Sequence, residues 1–334
     1  MNFRTNPLIH QDHTFSRISN LEFATLPPIS AIKIKPPRQI KKTKKEAEKI
    51  RTPPLLELVR PINCVLAGIA VIIGVVVATG GLNISRLILL LAFTVAAFVS
   101  GGGNAINDYF DRDIDRINRP NRPIPSGKIT PKVALFTAHI LFTTGIIFTI
   151  FLNIYCFLLA TLNSVILFVY AWKLKRLGLV GNISIGYLVG STLLFGGLAT
   201  AHLRGGILVP AELLVLATMM ALSTIGRELI KAVEDMRGDK KLGFKTFPIT
   251  HGVEWTTAVA AGFICAAVAL SPIPYLMGIF RWPYLLFLTF SAASFLAAIW
   301  IMIGKGEKAA GNASLACKLG MGIGLLGFLI GAFL

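Results

Sequence analysis

This sequence is short of charge, and shortest of acid. Asp and Glu number 16 in 334 residues, against 33 Lys and Arg. Charged residues make up only 15% of the chain and hydrophobic residues 54%, with a mean hydropathy of +0.70. That balance excludes an ordinary soluble globular protein. Cysteine is scarce too. Cys64, Cys156, Cys265 and Cys317 are far apart and all sit in apolar stretches, so they mark neither a disulfide framework nor a zinc site and read as small packing residues. The five histidines form no pair at ligand spacing on a helix. No apolar core follows the first basic residues, which argues against a cleavable signal peptide.

A net charge of +17 raises nucleic acid as a partner, but the placement of the charge excludes it. Twelve of the Lys and Arg precede residue 61, and most of the rest sit at the ends of apolar segments, which is how membrane topology is encoded. Residues 1–54 read as a basic, disordered tail, with the run KPPRQIKKTKKEAEKIR just ahead of the first span. Residues 55–334 read as one all-α, polytopic membrane domain of about nine transmembrane helices. The expected spans are 61–80, 86–106, 132–152, 154–172, 180–201, 208–230, 254–279, 283–303 and 314–334. Pro272 and Pro274 should break the seventh near its far end. Of the 21 cations after residue 60, only Arg86, Arg204 and Arg281 fall at the ends opposite the N-terminus; the other 18 share its side. The expected localisation is therefore a cell membrane, with the N-terminus and the site-bearing loops cytoplasmic.

Half of the acidic residues fall in two windows on that same side. The first is GGGNAINDYFDRDIDRINRPNRPIPSGKI, Gly101 to Ile129. If the second span's helix continues through it, Asp108, Asp111 and Asp115 lie within about 60° of one another. Asn107 then lies on the edge of that face, and Asp113 points away. Clustered carboxylates need cations, and hard oxygens of this kind suit magnesium, bound through a few carboxylates plus waters and substrate phosphates. Pro120 and Pro123 should end the helix, leaving Arg119 and Arg122 able to reach back to an anion. The competing reading is a solvated helix end held by local pairs such as Asp108–Arg112 and Asp115–Arg119.

The second window is GRELIKAVEDMRGDKKLGFKTFPITHG, Gly226 to Gly252. Arg227, Lys231, Asp235 and Asp239 advance by fours and form one drifting stripe. Its acidic half suits metal and its cationic half suits phosphate, although local salt bridging is compatible with it too. A third element, YAWKLKRLGLVGN from Tyr170 to Asn182, offers cations that serve either as topological anchors or as phosphate partners.

NDYFDRDID fits the NDxxDxxxD motif, and DMRGD at Asp235–Asp239 the DxxxD motif, of the UbiA superfamily of intramembrane prenyltransferases, which the chain resembles over residues 55–334. Lys175 is taken as that family's lysine after the tyrosine, one residue farther from Tyr170 than usual. Within the superfamily the two windows look most like those of the archaeal digeranylgeranylglyceryl phosphate synthases, with Ala232 standing where an acidic residue is usual. The resemblance implies helices around a central cavity and Mg2+ as cofactor. It implies a reaction that joins geranylgeranyl diphosphate to the hydroxyl of geranylgeranylglyceryl phosphate, an archaeal ether lipid precursor, with release of pyrophosphate. It also implies that Asn107, Asp111 and Asp115 hold one metal and Asp235 and Asp239 the other, with Asp108 as a supplement. Lys175, Arg227 and Lys231 would contact phosphates, and Arg60, Asn63, Arg119, Arg122 and Tyr170 would complete the substrate pocket. The partners implied are a prenyl diphosphate, a lipid-phosphate acceptor and the bilayer. Three other readings stay open: an aromatic prenyltransferase using the same metal site, an ion or metal transporter, and a non-catalytic scaffold. Replacing Asp111 or Asp235 by Asn should abolish magnesium-dependent transfer without unfolding the protein; wild-type turnover by either purified variant contradicts the assignment.

Overall fold

The structure, a computed structural model, describes residues 53–81, 84–206, 209–241 and 243–333. The expected tail, 1–54, lies outside the described residues except at its last two positions. A short helix α1 (Pro54–Val59) leads into α2 (Pro61–Thr79), α3 (Arg86–Asn118), α4 (Pro131–Phe148), α5 (Ile154–Trp172), α6 (Leu179–Ala199) and α7 (Ala211–Lys241). Then come α8 (Phe247–Leu270), the single turn α9 (Ile273–Leu276), α10 (Pro283–Lys305) and α11 (Ala310–Phe333). No strand occurs among the described residues.

Nine of these helices are long, as the hydropathy pattern requires. The apolar run Pro283–Phe333 contains two of them, separated where Gly306 adopts a positive φ of 55°. Local chemistry sets the other boundaries. Proline opens α1, α2, α4 and α10, where its missing N–H would have had no partner anyway. The α4–α5 division falls at Asn153, whose Oδ1 accepts from the Cys156 N–H at 3.0 Å while its Nδ2 donates to the Leu198 carbonyl at 2.9 Å. That cap also ties the turn to the end of α6. Helix α8 stops at Leu270, two residues before Pro272, as expected. At its other end it begins earlier than the hydropathy pattern suggests, with a break at Gly252 (φ 85°) that separates the first turn from the spanning part.

Two helices far outrun their apolar segments. With 33 and 31 residues, α3 and α7 extend ~50 and ~46 Å, against a hydrocarbon core of about 30 Å. Their C-terminal turns carry the aspartates of both windows past the apolar segments, so the condition placed on the first window, a continuous helix, is met.

Packing closes the helices into a ring. Sequence neighbours α3/α4, α6/α7, α7/α8 and α10/α11 form the most extensive pairs; α2 packs on both α3 and α6, and α11 returns to α7 and α2. Large apolar side chains such as Phe136, Leu276 and Trp300 face outward, which lipid permits and water does not. All four tryptophans, Trp172, Trp255, Trp282 and Trp300, are exposed near helix ends or breaks, in the manner of an interfacial belt.

Lipid supplies no hydrophobic drive between helices, so close backbone approach matters more. The α2–α6 crossing is the tightest instance. A Cβ on Gly196 would collide with the Val71 carbonyl oxygen, and one on Gly74 with that of Leu193. Neither obstacle is a side chain that can swing aside. Gly196→Ala should therefore destabilise the protein by about 1–3 kcal/mol, read as a lower Tm in detergent. Gly262→Ala on α8, with nothing within 4 Å of the added methyl group, should leave the Tm unchanged.

Candidate active site

Helices α3 and α7 run parallel and bring their C-terminal ends together. Asn118 packs where a side chain on Gly238 would stand, and one turn away Arg119 reaches Asp235 at 3.3 Å. The acidic ends of two helices thus converge, and each helix dipole places partial negative charge there as well. Such an arrangement stands only with abundant positive charge around it.

The cations arrive from four directions. Arg122, on the loop after α3, bonds Asp115 at 2.6 Å and Asp108 at 3.1 Å. Arg60, at the α1–α2 junction, pairs with Asp108 and donates to Asn104 Oδ1 at 3.4 Å. Lys175, in the turn after α5, pairs with Asp111, whose other oxygen accepts from Asn107 Nδ2 at 2.8 Å. Lys231 lies 3.6 Å from Asp235, one turn along α7. Neighbouring Arg176 stacks over the Phe244 ring, 4.6 Å from its centroid, which anchors the basic turn to the α7–α8 loop. Burial pushes the Lys175 amine down to about 7, with Arg176 and Lys231 pushing the same way against the attraction of Asp239 and Asp108.

The competing reading of a locally salt-bridged helix end does not describe this site. Asp108 and Asp115 bond Arg60 and Arg122 rather than Arg112 and Arg119, and Arg119 crosses to α7. Only Asp113, exposed and paired with Arg116 at 3.0 Å, behaves as that reading expects. On α7, Lys231–Asp235 is local, whereas Arg227 pairs with its neighbour Glu228.

These side chains line one cavity of about 1200 Å3. Asn107, Asp111, Asp115, Asp235 and Asp239 all reach it, as do Arg60, Asn63, Arg119, Arg122, Tyr170, Lys175, Arg227 and Lys231. Asp108 does not. It is 2% exposed and sits behind the lining, paired with Arg60 and Arg122, which it holds in place. Deeper in, the lining turns apolar, with Val95, Leu167, Phe195 and Phe295 among its residues.

Arg60 stands out in its backbone as well. It is the one non-glycine residue with positive φ (57°) among the described residues, and Pro61 follows it. A conformation disfavoured for a bulky residue is held there by Asn104 Nδ2, which donates to the Val59 carbonyl at 2.8 Å, and by the pull of Asp108. Sequence reasoning overlooked Asn104, although it precedes Asn107 by one turn. It also overlooked Lys318, which lines the cavity from α11 and whose signal was a lone cation within an apolar span.

Known proteins place the chain. The model of the UbiA prenyltransferase family matches residues 67–325. A digeranylgeranylglyceryl phosphate synthase of Methanopyrus kandleri is 42% identical over 274 residues, 82% of this chain and 97% of that protein. One from Methanocaldococcus jannaschii is 41% identical over 85% of this chain and 97% of its own length. A solved structure of a digeranylgeranylglyceryl phosphate synthase is similar with a TM-score of 0.67 and 39% identity, covering 84% of this chain and 97% of that one. A UbiA homologue of Archaeoglobus fulgidus, solved with DMAPP and Mg2+, shares the fold at a TM-score of 0.58 and 20% identity, covering 83% of this chain and 99% of that one.

Removing the Arg122 charge leaves two buried carboxylates without their shared partner. Arg122→Met should cost about 3 kcal/mol, measured as a fall in Tm in the metal-free protein, while Asp113→Asn should leave Tm unmoved. From the family match and these relatives, which align over nearly their whole length, the chain belongs to the UbiA prenyltransferase family.

Proposed function

We propose that this chain is a magnesium-dependent intramembrane prenyltransferase that moves a geranylgeranyl group from geranylgeranyl diphosphate to the hydroxyl of geranylgeranylglyceryl phosphate, in archaeal ether-lipid synthesis. On this reading the catalytic domain is residues 55–334 and the site faces the cytoplasm, a side supported by the positive charge shared by one set of span ends. The observation that carries the chemistry is the meeting of both aspartate motifs at one end of a single cavity whose deeper lining includes many apolar side chains. The acceptor rests on the relatives, whose similarity runs through both windows.

The residues fit a metal. Among the described residues no three His, Cys, Asp or Glu side chains converge closely enough to hold an ion alone, but magnesium takes water and substrate oxygens besides one or two carboxylates. Asp239 supports the fit: 8% exposed and facing the cavity, its carboxylate makes no hydrogen bond or ion pair among the described residues. A buried carboxylate so placed is costly until a cation meets it. Asn107, Asp111 and Asp115 would hold one ion, Asp235 and Asp239 another. Magnesium bound there supplies positive charge for the diphosphate as it departs.

The rest of the chemistry falls to the chain itself. Carboxylates and cations are nearly balanced around the cavity, and a prenyl diphosphate with its divalent cations brings nearly balanced charge. Arg119, Arg122, Lys175 and Lys231 now rest on carboxylates; with substrate present they exchange those partners for phosphate oxygens. As the allylic C–O bond breaks, Tyr170 presents its ring to the carbon gaining positive charge, and the apolar lining withholds water that would otherwise capture it. The acceptor oxygen bonds that carbon, its proton leaves to a nearby carboxylate, and pyrophosphate departs.

The deciding measurement is a product assay with purified protein, geranylgeranyl diphosphate and a panel of acceptors. Transfer to the glyceryl ether phosphate and not to an aromatic acid is the expected result. The reverse preference makes the chain an aromatic prenyltransferase, and metal flux in proteoliposomes with no diphosphate consumed makes it a transporter.

A further inference from the structure

Below the aspartates the cavity carries a second charged layer, built by α7 and α11. Their register is fixed where they meet. A Cβ on Gly311, at the start of α11, would lie 3.5 Å from Glu234 Oε1 on α7, and just outside it Arg237 pairs with Glu307 at 2.8 Å. The helices are antiparallel, since α7 arrives at the aspartate face and α11 leaves it. Seven residues are about two turns, a descent of ~10 Å that returns to within about 20° of the same face. Counting seven residues inward from the contact reaches Arg227 on α7 and Lys318 on α11. The two therefore stand at one depth, and both line the cavity.

Lys318 is the sole charged residue of α11. Its side chain is exposed to the cavity it lines, and it makes no ion pair or hydrogen bond among the described residues, so its charge is open to an anion that enters there. Arg227 and Lys231 lie within coulombic range and repel it, while Glu234, also in range, forms no pair. Glu228, the one carboxylate of this layer, is already engaged by Arg227. Further donors wait in the same place. Arg227 Nε and the Thr224 hydroxyl, one turn apart on α7, are buried without hydrogen-bond partners, and both residues line the cavity. A layer of cations and orphaned donors with its only carboxylate engaged calls for an anion brought by a ligand.

We propose that Lys318 and Arg227 seat the phosphate monoester of the acceptor, while the donor's diphosphate occupies the aspartate layer above. The assignment rests on the transfer reading given above and names which end of the cavity takes which substrate. In a glyceryl ether phosphate the free hydroxyl lies no more than two carbons from the phosphate-bearing one. A phosphate held at this layer therefore fixes the nucleophilic oxygen between the seat and the allylic carbon. It also gives the site a physical reason to prefer a phosphorylated lipid over an uncharged alcohol.

The test uses full-length protein in nanodiscs, geranylgeranyl diphosphate, and either the glyceryl ether phosphate or the same ether with its phosphate removed. Lys318→Gln should raise the acceptor KM about tenfold, the scale of one lost charge-assisted hydrogen bond, with the donor KM nearly unmoved. Wild-type preference for the phosphorylated acceptor should shrink by the same factor in the variant, and Lys318→Arg should restore it. An unmoved acceptor KM in a variant that still turns over overturns the assignment, as does a donor KM that rises as far as the acceptor's. Wild-type protein that ignores the glyceryl ether phosphate but prenylates another acceptor overturns the transfer reading first, and this assignment with it.

Discussion

Compensation of the carboxylates at the C-terminal ends of α3 and α7 governs how the rest of the molecule is arranged. Acid at a helix C-terminus opposes the helix dipole, and acid that is also buried has lost its water. Each such group in this fold is met by a cation from a different element, or is turned toward the cavity. Arg60 brings the α1–α2 junction inward, Arg122 folds the loop after α3 back, Lys175 draws in the turn after α5, and Arg119 joins α3 to α7. The rim of the cavity is thereby assembled by electrostatics, whereas the membrane part is assembled by small residues and shape.

The two halves serve one reaction. A departing diphosphate needs positive charge, and an allylic cation needs water kept away. Those demands conflict in a single environment, since dense charge attracts water. The fold separates them along the helix axis. Charge crowds the end of the cavity where both aspartate motifs meet and the layer just below it, and side chains such as Val95, Phe195 and Phe295 line the remainder. The cations that rest on aspartates line the same cavity, so on the proposed reading a ligand that arrives with both metal and phosphate exchanges partners with them.

Much of this was legible in the chain because a membrane imposes strong rules. The nine spans followed from hydropathy, the break at Pro272 from proline chemistry, and the choice of Asp111 and Asp115 over Asp113 from helical spacing. Asp108 shows what spacing alone leaves open. It shares the face of Asp111 and Asp115 on an isolated helix, but Arg60, 48 residues away in sequence, covers it. Spacing defines a face; only packing decides whether that face meets a cavity or another side chain. The positive φ of Arg60 and the Asn104 bond that holds it were equally out of reach, because both depend on α1 lying against α3.

By itself the sequence determined that the chain spans a membrane, that its acids gather on one side, and that they belong to two helix ends suited to metal and diphosphate. Those properties live in composition and in the 3.6-residue period, which are local. The tertiary structure decided which cation answers which acid, that both motifs open onto one cavity, and that Lys318 of the last helix stands level with Arg227. Those are facts of register between helices distant in sequence. They are set where Gly238 admits Asn118 and Gly311 meets Glu234, contacts that no periodicity along a single helix can encode.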